Sequence, residues 1–180
     1  MKFWMALLLC SSNSVCMSQE NVVIQRNTYS MMVDANLDID STGASNTDLI
    51  VRFPLKSVAD RFSENINVMI DSVSGRGLSL KEYVRASAIY MKSRFSDIIM
   101  NESKELKSPN GQHYIELVYT ASLNKFELQF EQRYIQTTNA VIVITFTAEQ
   151  NQFNNYKEKA RKILDSIKLN ENPKFLTLEE

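Results

Sequence analysis

The chain has 180 residues, 44% hydrophobic and 23% charged, enough apolar material for one globular domain with a proper core, which excludes disorder throughout. A formal net charge of −1 and a pI near 5.9 give no global field that would draw the molecule to nucleic acid or to an anionic membrane. Four glycines and three prolines leave little room for low-complexity linkers, and no repeat occurs at solenoid periods.

Lys2 is followed by an apolar run, residues 3–9, and then by the polar run Ser11, Ser12, Asn13, Ser14. That pattern reads as a secretory signal peptide over residues 1–18, with an apolar core shorter than the roughly 20 residues needed to span a bilayer. Cys16 and Ser18 suit cleavage before Gln19, and Ser14 with Cys16 suits a second cut before Met17. A buried N-terminal helix is the competing reading. Both cysteines, Cys10 and Cys16, fall inside this segment, so cleavage before Gln19 leaves a chain without thiols or disulfides. Lipid attachment wants small residues just before the cysteine; Leu9 and Val15 stand there instead, so a lipoprotein fits poorly. The expectation is an exported protein, periplasmic or extracellular, with a lead-in at 19–28, a domain at 29–169 and a tail at 170–180.

Residues 21–24 and 29–33 carry β-favouring side chains, and Leu37 and Ile39 then alternate with acids, so a strand or hairpin opens the domain. A polar turn around Gly43 precedes a strand at 48–53, which Pro54 stops. Residues 55–61 are ambiguous and could form a short helical crossover. Ile66, Val68 and Ile70 alternate with polar neighbours, the period of a half-buried strand. Gly75 and Gly77 allow the chain to reverse after it. Ser79 and Glu82 form a capping box that opens a helix, along which Leu80, Val84, Ala88, Met91 and Phe95 recur three or four apart. The simplest packing sets this helix face on the Ile66, Val68 and Ile70 face of the strand. A turn at 108–111 leads to strands at 113–121, 125–135 and 140–146, whose short links imply antiparallel neighbours. A closing amphipathic helix is expected from about 152 to 169, and Pro173 stops any continuation. The fold class that follows is α+β, a largely antiparallel β-sheet covered by α-helices.

Particular residues in this order resemble the PsbP-like group that also contains DcrB and the Mog proteins. The resemblance covers roughly residues 29–169. It rests on the opening strand at Tyr29, the proline-ended strand at 48–54, the meander with its terminal helix and, most tellingly, Glu64-Asn65-Ile66-Asn67-Val68 followed by Ser79-Leu80-Lys81-Glu82-Tyr83. The chain departs from the family pattern in lacking the tryptophan near the end of the opening strand and the proline ahead of it. The resemblance implies a Mog/PsbP-like α/β/α sandwich and a binding or assembly protein. It brings no shared catalytic set, and fold by itself does not give function.

Candidate chemistry is sparse. Asp38, Asp40 and Gly43 begin like a calcium loop, but Leu49 stands where the bidentate acid belongs, so a solvated turn is the better reading. His113 is the sole histidine, with neither a metal-ligand cluster nor a G-x-S-x-G serine to join it. Asn65 and Asn67 project from the strand face opposite Ile66 and Val68. Lys157 and Arg161 lie on the basic side of the last helix, interrupted by Glu158. These four are the candidate partner-binding residues, each weighed against an ordinary structural or solvated role. The expectation is a non-enzymatic protein without metal or cofactor that binds a protein partner, with peripheral envelope association. The alternative is a carrier of a small apolar ligand or lipid, in a pocket between sheet and helix lined by Met91 and Phe95.

Overall fold

The computed structural model describes residues 20–75 and 77–170; the expected signal peptide, its two cysteines, Arg76 and the tail beyond Asn170 lie outside them. Alternating apolar and polar residues form most of the chain into strands. β1 (Asn21–Gln25) and β2 (Tyr29–Asp34) form a hairpin, and β3 (Asp38–Asp40), β4 (Leu49–Arg52) and β5 (Asn65–Ser72) follow. After α1 (Leu80–Arg94) come two short strands, β6 (Ile99–Met100) and β7 (Lys104–Lys107). The long meander is β8 (His113–Leu123), β9 (Phe126–Gln136) and β10 (Ala140–Glu149), and α2 (Phe153–Asp165) and β11 (Lys168–Leu169) close the described chain.

The main sheet has the order β3-β4-β5-β10-β9-β8-β6, with β7 also on β8, and all its pairs are antiparallel. A second sheet, β1-β2-β11, lies on the α2 side. The architecture is therefore the expected α+β sandwich: α1 on one face of the main sheet, α2 and the small sheet on the other. Local signals explain the junctions. The β8–β9 turn passes through Asn124 at φ 56°, a left-handed position that asparagine tolerates in tight hairpins. Gly75 and Gly77 take φ of 76° and 61° between β5 and α1. Ser79 accepts a hydrogen bond from the Glu82 N–H, and the Glu82 carboxylate accepts one from the Ser79 N–H, completing the capping box.

The core is divided by the sheet. Ile66, Val68, Ile142, Ile144 and Phe146 pack with Tyr29, Met31 and Val33 of the small sheet and with Phe153, Ala160 and Leu164 of α2. Val84 and Met91 of α1 pack instead with Leu117, Tyr119, Leu128, Phe130 and Tyr134. This corrects the expected pairing of strand and helix: Ile66 and Val68 face α2, not α1. Consecutive elements fit through the sheet because both faces of β10 are covered, and a single strand cannot reveal which face its neighbouring helix will cover. Residues 55–61 form no regular helix. The closing helix is also shorter than expected. It ends at Asp165, where the Ser166 hydroxyl donates back to the Ile163 carbonyl, and the chain turns extended so that Leu169 pairs with Tyr29.

Candidate binding groove

Three main segments, with Asn21 of β1 at the margin, meet on the α2 side to leave an open groove of about 930 Å³. The first is α2 itself. Its apolar stripe of Phe153, Tyr156, Ala160, Ile163 and Leu164 is buried, and the adjoining stripe of Asn155, Lys159, Lys162 and Ser166 lines the groove beside Tyr156 and Ile163. The second is β2, whose inward residues Tyr29, Met31 and Val33 fill the core while Met32 and Asp34 face outward into the groove. Ser166 joins the two: its Oγ accepts from the Met32 N–H at 2.8 Å. The third is the segment Phe53, Pro54, Leu55, Lys56. Pro54 cannot donate to a ladder, so β4 stops and the chain crosses over the end of α2. Phe53 stays in the core, edge-on to Tyr156 with centroids 5.1 Å apart, whereas Leu55 is 53% exposed. Lys56 donates to Gln152 Oε1 at 2.5 Å and lies 4.8 Å from the Tyr156 ring centroid.

Polar groups beneath and beside this groove hold α2 in place. Glu131 is fully buried and accepts from Arg133 and from Arg161, the latter at 3.0 Å, while Arg133 reaches Asp165 at 2.5 Å and lies over the Tyr114 ring. Arg161 also stands 3.7 Å from Glu116. Burial, then the Glu131 charge, push the Glu116 carboxyl above its ordinary range. At the other end of α2, burial raises Glu64, and burial with the nearby Glu64 carboxyl pushes the Tyr156 phenol up to about 12. The small sheet is anchored separately. Arg26 makes a two-pronged contact with Asp48, both hydrogen bonds 2.9 Å, and the Tyr29 hydroxyl donates to the same carboxylate at 2.8 Å. Burial opposes the charge on Asp48, but these donors hold it below the usual carboxylate value.

The residues singled out in the sequence are not brought together. Asn65 and Asn67 are half-buried on the α1 face, in register with Thr147 and Thr145 of β10, and Asn65 donates to the Ser63 carbonyl. Lys157 is half-exposed on α2 but does not line the groove. Arg161 is turned inward onto Glu131, so its guanidinium serves the α2 anchor. Met91 and Phe95 do not line the groove either. Met91 is buried and Phe95 packs near Phe130 in the α1-side core; cavities of about 590 and 500 Å³ do open between α1 and the β7–β8 edge, but Leu80, Val84 and Ala88 line them rather than Met91 and Phe95, and the larger groove lies on the opposite face. Asp38 and Asp40 both pair with Arg52 at 3.1 Å, a cation already occupying the carboxylates of the calcium-like turn. His113 is exposed, at the start of β8 opposite Lys107. Among the described residues no group of three or more metal-ligating side chains gathers. The groove residues escaped the sequence because they come from three separate segments. An isolated signal existed in Leu55, an apolar residue just after a strand-ending proline.

No protein-family model matches the sequence, and no curated protein matches it in sequence. Solved structures do match in shape. Cyanobacterial PsbP (CyanoP) from Synechocystis sp. is 15% identical over 90% of this chain and 99% of its own, with a TM-score of 0.61. A Pseudomonas aeruginosa protein of unknown function is 12% identical, covering 81% of this chain and 94% of its own, at a TM-score of 0.58. LpqN of Mycobacterium tuberculosis, described as involved in cell envelope biogenesis, is 9% identical over 83% of this chain and 90% of its own, at 0.54. The chain therefore has the PsbP-type α+β fold that the resemblance implied. Among the described residues no helix is long and apolar enough to cross a membrane.

Proposed function

We propose that this is an exported, non-enzymatic PsbP-fold protein of the cell envelope that acts by binding another protein, with the groove beside α2 as the contact surface. The groove itself carries this reading. It is open, it combines an apolar floor at Phe53, Tyr156 and Ile163 with a polar rim, and exposed apolar side chains continue it: Leu55, then Met32 at 47% and its cross-strand neighbour Val23 at 66% exposed. Contiguous exposed apolar surface rimmed by polar groups is the mark of a binding face. The signal-like N-terminus and the involvement of the similarly folded LpqN in cell envelope biogenesis support export and an envelope location.

The test is a pull-down from envelope extracts with the wild-type chain and a Met32→Glu/Leu55→Glu variant, both substitutions being at exposed positions. A discrete partner held by the wild type and lost by the variant, with thermal melts unchanged, is the expected result. A partner retained equally by both, or none at all, overturns the groove as contact surface. Lipid found by mass spectrometry in the purified wild type and absent from the variant would favour the carrier reading instead.

A further inference from the structure

Resting on the reading of the groove as a protein-binding surface, we infer that its occupant is a short peptide segment of the partner that presents apolar side chains and at least one carboxylate. The length comes from α2. Asn155 and Ser166 bound the groove along the helix, eleven residues apart, and a rise of 1.5 Å per residue makes the groove ~16 Å long. That length takes ~5 residues of extended chain or ~11 of helix.

The chemistry comes from the lining. Lys56, Lys159 and Lys162 stand at the rim, and none of them forms a salt bridge among the described residues. Two carboxylates share the lining; Asp165 is paired with Arg133, and Asp34 keeps its charge while accepting from the neutral Asn36 amide, so the three lysines still outnumber the acids. The rim is thus positive on a chain whose net charge is −1, which favours an acidic ligand and repels a basic one. Asn21, Asn36 and Asn155 add amide groups around the rim, donors and acceptors that match peptide groups and offer nothing to an acyl chain. Lys159 and Lys162, three apart on α2, sit side by side and can share one carboxylate or grip two neighbouring ones.

The experiment selects from a random peptide library displayed on phage, using the full chain as bait, and measures the winning synthetic peptide by fluorescence anisotropy. The inference expects winners rich in Asp or Glu interspersed with Leu, Phe or other apolar residues. It further expects binding to weaken about five- to thirtyfold in a Lys159→Glu/Lys162→Glu variant of unchanged melting temperature, as two lost ion pairs of ~0.5 to 1 kcal/mol each imply. Raising salt should weaken the wild type and leave the variant little changed. Basic or uncharged winners, no enrichment, or equal binding by the variant would overturn the inference. So would binding to phosphatidylglycerol vesicles that the double variant loses while no peptide is selected. The partner pull-down separates the two levels: a protein captured through Met32 and Leu55 but indifferent to Lys159 and Lys162 leaves the broader reading standing and removes this one.

Discussion

Glu131→Gln is the most informative single substitution in the α2 anchor, because it removes the charge while keeping the shape. The wild-type carboxylate is fully buried and accepts hydrogen bonds from two guanidiniums, Arg133 at 3.2 and 3.3 Å and Arg161 at 3.0 and 3.3 Å. Breaking a buried ion pair from one side costs about 3 to 5 kcal/mol, since the partner charge stays behind. Arg161 is partly exposed and can rehydrate, and Arg133 keeps Asp165 and the Tyr114 ring, so the lower end of that range applies. For a domain of about 150 residues that is a fall of ~6 to 12 °C in melting temperature. Calorimetry at several pH values adds a second readout. Glu116 holds its proton more tightly when folded, so its contribution is present below the ordinary glutamate value of 4.5 and is lost as pH rises through the raised one. Removing the Glu131 charge brings Glu116 back toward its ordinary value, so the variant should show a smaller decline over that window. A loss below about 1 kcal/mol with an unchanged pH profile would refute the account of how α2 is held.

Other outcomes follow from the same geometry. Val68→Asp puts an unpaired carboxylate in a fully buried site between β5 and α2 and should cost several kcal/mol, a large share of the roughly 5 to 15 available; Asn67→Asp, half-buried on the other face, should cost about 1 kcal/mol or less, and equal losses in thermal melts would contradict the assigned faces. Asp48→Asn should destabilise the chain by about 1 to 3 kcal/mol at neutral pH through the lost charge-assisted contacts to Arg26 and Tyr29. Because the folded Asp48 titrates below the usual 3.8, its contribution is present above that value and disappears as pH falls through the lowered one, so the gap between wild type and variant should narrow in acid melts. Ser79→Ala removes the α1 cap and should cost about 1 kcal/mol by urea denaturation, with the α2-side core unaffected.

The parts of the fold legible in the sequence are those set by neighbouring residues. The meander followed from short polar links, α1 from its capping box, and the β5 to α1 reversal from two glycines that adopt left-handed backbone. What was not legible depends on long-range choices. Ile167 continues the apolar spacing of α2 and is buried, yet its segment leaves the helix because Leu169 gains a strand partner in Tyr29. Strands as short as β6 and β11 carry too few residues to show a period. Arg161 looked like part of a basic surface because nothing local reveals that Glu131, thirty residues earlier, lies buried beneath it. The groove was invisible for a similar reason: its floor joins Phe53 with Tyr156 and Ile163, and its rim joins Lys56 with Lys159 and Lys162.

Site-directed photo-crosslinking tests the central claim most directly. With p-benzoylphenylalanine in place of Leu55 in the groove, or of Ile89 on the exposed side of α1, irradiation in envelope extracts should yield a discrete crosslinked protein from position 55 and none from position 89. The same product from both positions, or a product from position 89 alone, would contradict a partner seated beside α2.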